Sequence, residues 1–236
     1  MIGIIPAAGR GTRAGGLPYP KELLPVKAYD GKVLTVIEGA ILQLANAEIP
    51  RAVIVIRPEK YIIADYLGNQ CFGVNLTYVF QETMYSREGL PDAVLAGRTW
   101  VDQSLYVMLM GDVYFGDPFT AYDLVDAMHN QPLAVAGVAL WRTYEPHRFG
   151  IVERVRDKVI AVKDKPQGLT TGEHWGAVAF RSGLWPYIAN EQETFSNVLN
   201  RAAVYGEQII SIVADNNYYD FGTPEAIINN IKVANT

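Results

Sequence analysis

The chain has 236 residues, half of them hydrophobic, with a formal net charge of −5 and no run of Lys and Arg. That is enough apolar material for one sizeable core, and the missing basic stripe excludes nucleic acid as an expected partner. The single cysteine, Cys71, excludes an intrachain disulfide framework and fits a reducing compartment. With no basic leader and no apolar run of membrane-spanning length, the expectation is a cytoplasmic chain without membrane contact, read as a single domain over 1–236.

Ile4-Ile5-Pro6 reads as a buried strand that runs into the turn Ala7-Ala8-Gly9-Arg10-Gly11-Thr12-Arg13. Gly9 and Gly11 let a ligand approach the backbone, and successive N–H groups in such a turn form an anion-binding concavity. Arg13 and Lys21 add full positive charges, so the stretch suits a triphosphate. Ala8, Gly9, Gly11 and Thr12 are the candidate nucleotide-binding residues. Gly9-x-Gly11-x-x-Ala14 also fits the dinucleotide fingerprint. That motif needs a helix at once, whereas Gly15, Gly16, Pro18, Pro20 and Pro25 follow and oppose one. A Walker loop is excluded because no Gly-Lys-Ser/Thr follows.

Further along, Leu34, Ile37, Ala40, Ile41 and Leu44 recur at helical spacing and predict a helix over 33–47. Residues 52–56 are a β-branched run and read as a strand buried on both faces. A helix is expected over 58–67 with Pro58 in its first turn, a strand over 76–80, a helix over 90–100 and a buried strand over 105–110. This alternation predicts an α/β fold: a mostly parallel central sheet with helices on both faces, Rossmann-like in its winding. Ligands in such sheets sit beyond the carboxyl ends of the strands. The Gly9 turn, Gln81-Glu82 and Gly111-Asp112 all fall there. A carboxylate at Asp112 is a natural Mg²⁺ ligand.

The later chain changes character. Strands are expected over 132–141 and 175–180, and a hairpin over 150–162 around Arg156-Asp157-Lys158. Together they read as an inserted antiparallel element with a second ligand pocket. A helix over 194–205, a strand over 209–213 and a closing helix over 224–233 complete the chain. About 1–130 is the expected nucleotide-binding half and about 131–236 the half with the second ligand pocket. The histidines His129, His147 and His174 are scattered, without metal spacing, and His174 reads as a surface or core residue.

Gly9-Arg10-Gly11-Thr12-Arg13 with Pro20-Lys21-Glu22-Leu23-Leu24-Pro25-Val26 resembles the signature of the sugar-1-phosphate nucleotidylyltransferases, the thymidylyl-, uridylyl- and cytidylyltransferases for hexose 1-phosphates. The Arg13-to-Lys21 segment is shorter than is usual there. Tyr219-Asp220-Phe221-Gly222-Thr223-Pro224-Glu225 resembles a later motif of the same family. The resemblance implies a GT-A-like nucleotidyltransferase fold, Asp220 as a second metal carboxylate beside Asp112, and Mg²⁺ as cofactor. It implies Gln81 and Gly89 at the nucleobase, and Gly150, Asp164, Lys165 and Gly176 around the sugar phosphate, with Asp164 in place of the usual Glu. Arg13, Lys21 and Lys165 are then the candidate catalytic residues.

The activity so implied takes a nucleoside triphosphate, dTTP or UTP, and a hexose 1-phosphate, and gives a nucleoside-diphosphate sugar and pyrophosphate. Three alternatives stay open: a cytidylyltransferase for a non-sugar alcohol phosphate such as phosphocholine, a glycosyltransferase of related architecture, and a non-catalytic nucleotide-sugar-binding protein. A homo-oligomer is the expected assembly.

Overall fold

The structure, a computed structural model, describes residues 1–81, 89–98, 104–189, 194–214 and 217–234, with the side chains of Arg13 and of 231–234 set aside. The chain opens with β1 (Ile2–Pro6), makes two one-turn 3-10 helices (Thr12–Ala14 and Lys21–Leu23) and forms the hairpin of β2 (Pro25–Lys27) and β3 (Val33–Thr35). Next come α1 (Val36–Asn46), β4 (Arg51–Ile56), a one-turn helix (Pro58–Lys60), α2 (Ile62–Leu67), β5 (Gln70–Cys71), β6 (Val74–Phe80), α3 (Leu90–Arg98), β7 (Tyr106–Leu109), β8 (Val113–Phe115) and α4 (Thr120–Asn130). The remainder comprises β9 (Ala136–Thr143), a one-turn helix (Pro146–Arg148), β10 (Gly150–Val155), β11 (Lys158–Asp164), β12 (Gly172–Phe180), α5 (Trp185–Ala189), α6 (Phe195–Val204), β13 (Ile209–Val213), β14 (Tyr218–Asp220) and α7 (Pro224–Ala234).

Among the described residues ten strands form one sheet in the order β10-β11-β13-β9-β12-β7-β1-β4-β6-β5. The block β7-β1-β4-β6 is parallel, with Ile4 opposite both Val53 and Met108. β12 runs antiparallel to β7 on one side and to β9 on the other. The antiparallel strands expected as an insert therefore extend the same sheet. Alternation sorts the side chains onto two faces. Ile5, Ile54, Val107 and Leu109 pack with Ile37, Ile41, Leu44 and Leu124 of α1 and α4. Ile4, Val53, Met108, Val178 and Phe180 pack with Val94, Trp185, Val198 and Leu199 of α3, α5 and α6. A third, smaller core of Leu24, Val26, Val36, Tyr114, Phe221 and Ile227 seats the hairpin and α7.

The helix predicted from residue 33 starts later, at Val36. Thr35 caps it reciprocally with Glu38: Thr35 N–H donates to Glu38 Oε2 at 2.7 Å and Glu38 N–H to Thr35 Oγ1 at 3.4 Å. A capping box ends the preceding strand there, which leaves Val33 and Leu34 to pair with Lys27 and Val26. The strand predicted from residue 132 begins at Ala136. Before it, Arg181 binds the carbonyls of Met128, Gln131 and Ala134, closing α4 with a cationic cap. α4 itself was not among the predicted elements, although Ala121, Leu124, Val125 and Met128 carry helical spacing. The helix predicted over 58–67 divides into the one-turn helix and α2, and residues 99–100 of the next predicted helix lie outside the described residues.

No helix among the described residues is long and apolar enough to cross a membrane. Burial, with a contribution from Glu38, pushes the Cys71 thiol up to about 11, which fits a filler rather than a nucleophile. His174 belongs to the core. It is 2% exposed, stacks on Phe149 at 4.3 Å between ring centroids and meets Tyr218 edge-on at 4.5 Å.

Burial lowers the His174 pKa from 6.5 to about 4. The unfolded chain therefore binds a proton that the folded chain refuses across that interval. The stabilising contribution is complete above about pH 6.5 and is lost as pH falls toward 4, in total roughly 3 kcal/mol. Urea midpoints of wild type and His174→Phe at pH 7 and pH 4.5 should show the variant losing much less stability on acidification. An equal loss in both proteins would contradict the assignment.

Candidate active site

The carboxyl ends of β1, β4, β6 and β7 lie side by side, and each delivers polar residues to one rim. After β1 the chain turns through Gly9 to Gly11, whose φ of 68° favours glycine. A Cβ built at Gly9 would meet no atom of the described residues within 4 Å, and its φ lies outside the left-handed region. Nothing among the described residues therefore demands glycine at position 9; the space beside it is open among them. Ala8 lies beneath, 3% exposed. Thr12 and Arg13 follow in the one-turn helix Thr12–Ala14.

Two buried cations underpin this turn. Lys60 Nζ donates to Ala7 O at 2.9 Å, and Arg57 Nε donates to Ala8 O at 2.5 Å. Lys60 also pairs with Glu22 Oε1 at 2.6 Å. Glu22 is 1% exposed, and its second oxygen has no hydrogen-bond partner among the described residues. Burial raises the Glu22 pKa, opposed by Lys60, while the charge of Asp112 adds to the rise. Neither Arg57 nor Lys60 was expected at the site. The available signal was their place directly after a buried strand, at the same sheet edge as Gln81 and Asp112.

Lys21 Nζ contacts Asp112 Oδ2 at 2.5 Å, across 91 residues of sequence. Burial works against the Lys21 ammonium, but Asp112 by charge and hydrogen bond, then Glu22 and Asp220, hold its pKa above the ordinary lysine value. The antiparallel pair β8–β14 brings Asp220 opposite Val113, next to Asp112. Phe221 N–H also donates to Asp112 O at 3.1 Å. Asp220 has its pKa raised by burial first and by Asp112 second, against the pull of Arg148 and Lys21. Arg148 Nη2 holds Asp220 Oδ2 at 2.9 Å while Nη1 holds Glu145 Oε2 at 2.8 Å. Each of the two predicted metal carboxylates thus carries a side-chain cation.

Asp112, Asp220 and Arg148 open onto a cleft of about 540 Å³ that Gly150, Asp164 and Lys165 also line. Lys165 is exposed, sits at φ 45° and donates its N–H to Phe149 O at 2.9 Å. Gly150 has a packing reason of its own: a Cβ would lie 2.2 Å from Ser196 Oγ and 2.3 Å from Trp175 Nε1, which hydrogen-bond each other at 3.0 Å. Gly176 is buried, and a Cβ there would strike Tyr218 and Trp141 at 2.3 and 2.7 Å. It supports the aromatic floor and does not line the cleft. At the other end of the rim Gln81 is 5% exposed, with its amide Nε2 buried and unpartnered among the described residues. Gly89 N–H is taken by Asp92 Oδ2 at 3.3 Å, and residues 82–88 between them lie outside the described residues.

A family model described as nucleotidyl transferase matches residues 2–235. Among solved structures, a Bacillus anthracis protein provisionally described as a glucose-1-phosphate thymidylyltransferase, in complex with sucrose, superposes with a TM-score of 0.86 at 24% identity, covering 100% of this chain and 96% of its own. A UDP-glucose pyrophosphorylase complexed with UDP-glucose gives 0.82 at 19% identity, covering 98% and 97%. An apo UDP-glucose pyrophosphorylase gives 0.77 at 18% identity with the same coverage. At these identities the structural likeness establishes the shared fold.

The two glycines make a paired prediction. Gly150→Ala forces apart the Trp175–Ser196 contact and should cost about 1–3 kcal/mol, as overpacking does. Gly9→Ala projects into open space and should leave stability within about 0.5 kcal/mol of wild type. Denaturant unfolding followed by tryptophan fluorescence compares them, and equal destabilisation of both would contradict the open space at Gly9.

Proposed function

The chain belongs to the nucleotidyl transferase family, and we propose on that premise that it joins a nucleoside triphosphate to a sugar 1-phosphate, giving a nucleoside-diphosphate sugar and pyrophosphate. The observation that carries this reading is the Lys21–Asp112 pair. Asp112 lines the cleft that also holds Asp220 and Lys165, and Lys21 belongs to the one-turn helix that Glu22 and Lys60 tie to the glycine turn. That layout offers a triphosphate subsite and an acceptor subsite on either side of one carboxylate pair. The sugar-nucleotide chemistry named for the structural neighbours agrees with it.

In this reading an oxygen of the sugar phosphate attacks the α-phosphorus in line. The new P–O bond forms as the bond to the β-phosphate oxygen breaks, and the electron pair leaves with pyrophosphate. No covalent enzyme intermediate is required, so positioning and charge neutralisation supply the catalysis. Lys21 and Arg13 neutralise the leaving pyrophosphate, and Lys165 holds the attacking phosphate. The N–H groups of Ala8 and Gly9, with Gly11 and Thr12 beside them, bind the nucleotide. Gln81 offers its unpartnered amide N–H to a carbonyl of the base, which suits dTTP or UTP, and Gly89 borders the same pocket. Asp164 and Gly150 flank the sugar, with Gly176 beneath them.

Asp112 and Asp220 fit a divalent cation. They are adjacent, partly buried and electrostatically opposed, and Mg²⁺ commonly takes one or two carboxylates together with phosphate oxygens and water. When bound, Mg²⁺ supplies neutralisation of charge at the α-phosphate. Lys21 and Arg148 each pair with one of these carboxylates. The reading places the chain in nucleotide-sugar biosynthesis in the cytoplasm, acting as a homo-oligomer.

A pyrophosphate-release screen of dTTP, UTP and CTP against hexose 1-phosphates and phosphocholine tests the reaction. Release with a hexose 1-phosphate supports it, and release with phosphocholine alone, or with nothing, overturns it. Lys21→Ala and Lys165→Ala should each slow turnover by roughly 10²–10³. Calorimetric titration should separate them, with Lys165→Ala losing acceptor affinity and Lys21→Ala losing triphosphate affinity. Asp112→Asn and Asp220→Asn should each raise the Mg²⁺ requirement steeply. The double variant should be little worse than either single, as for groups that act as one unit; additive losses in turnover would speak against a shared cation.

A further inference from the structure

We propose that Lys60 is a positioning residue that locks the glycine turn and the Lys21 helix into one nucleotide-binding unit. The inference rests on the nucleotidyl-transfer reading above but concerns a residue outside both motifs that led to it. Lys60 closes the one-turn helix Pro58–Lys60 after β4 and is 8% exposed. Its ammonium donates to Ala7 O and to Glu22 Oε1. The first bond fixes the peptide plane that enters the turn. The second fixes the one-turn helix Lys21–Leu23, on which Glu22 is the immediate neighbour of Lys21.

Peptide geometry converts the first contact into a directional effect. No peptide bond among the described residues is cis, and in a trans peptide the C=O and the following N–H point in opposite directions. With Ala7 O turned toward Lys60 and Ala8 O toward Arg57, the N–H groups of Ala8 and Gly9 face the other way. Neither N–H has an acceptor among the described residues. They are two preformed donors beside the open space at Gly9, each fixed through its own peptide by a buried cation. Preformed donors of this kind bind an anion or a carbonyl without further reorganisation.

The second contact explains why the tether is charged. A neutral residue could pack beneath the turn, but Glu22 would then be buried without its cationic partner, which is strongly destabilising. One ammonium therefore ties the turn to the one-turn helix that carries Lys21. Arg57 holds the turn at a second carbonyl and Asp112 holds Lys21 itself, so Lys60 is the link between two elements that each have a further anchor.

The test compares Lys60→Met with the double variant Lys60→Met/Glu22→Gln, in which the apolar stem stays and the stranded carboxylate is removed. The single variant should melt well below wild type, and the double should recover most of that loss. Triphosphate affinity, read by calorimetry with dTTP and UTP, should nonetheless fall by about tenfold or more in the double variant. KM for the triphosphate should rise in step, while affinity for glucose 1-phosphate stays near wild type. A crystal structure of the double variant should show the Ala7–Ala8 peptide rotated. A double variant with wild-type melting and wild-type triphosphate affinity overturns the inference and leaves the proposed reaction standing. Wild-type protein that binds no triphosphate overturns the reaction and this inference with it.

Discussion

Everything at the site depends on the parallel register of β7, β1, β4 and β6. Parallel neighbours end at the same edge, so four separate stretches of sequence release their loops side by side. The turn after β1, Arg57 and Lys60 after β4, Gln81 after β6 and Asp112 after β7 become neighbours for that reason alone. The register is in turn held by side chains that fill both faces, with Ile4 and Ile5, or Val107 and Met108, pointing to opposite cores. A slip of one residue would exchange those faces, and it would carry the rim residues out of alignment as well.

On that rim the charges are arranged in pairs. Lys21 meets Asp112, Lys60 meets Glu22 and Arg148 meets Asp220. A buried ion pair contributes little net stability, because the lost hydration offsets the attraction. Its value here is placement. The Lys60–Glu22 pair lies deeper and holds backbone, whereas Asp112, Asp220 and Arg148 of the other two pairs line the cleft. Burial raises the pKa of both Glu22 and Asp220, and the charge of Asp112 adds to each rise.

β12 makes the transition between the two halves of the sheet. It is antiparallel to β7 and to β9, so the end at which it starts, with His174 and Trp175, lies beside the end at which β7 finishes. The aromatic floor of Trp141, Phe149, His174 and Tyr218 is built there, and the short pair β8–β14 returns Asp220 to Asp112 above it. Gly150 and Gly176 are explained by the tightness of that floor. Gly9 has no such packing reason among the described residues, and a Cβ there would enter open space.

The amino-acid sequence by itself determined the class of fold, because β-branched runs and helical spacing are local patterns that fall in regular alternation. It also marked the glycine turn, Lys21, Asp112 and the Tyr219–Glu225 segment, since each stands as a polar break after an apolar run or matches a family motif. Thr35 and Glu38 announced the true start of α1 through their spacing, and α4 was equally legible in its apolar repeat. Only the tertiary structure decided that Lys60 and Arg57 reach the carbonyls of Ala7 and Ala8, that Arg148 rather than a nearby residue holds Asp220, and that Gly176 serves an aromatic floor. The physical reason is that these contacts join residues far apart in the chain. Their geometry follows from strand order and register, which no local pattern of residues encodes.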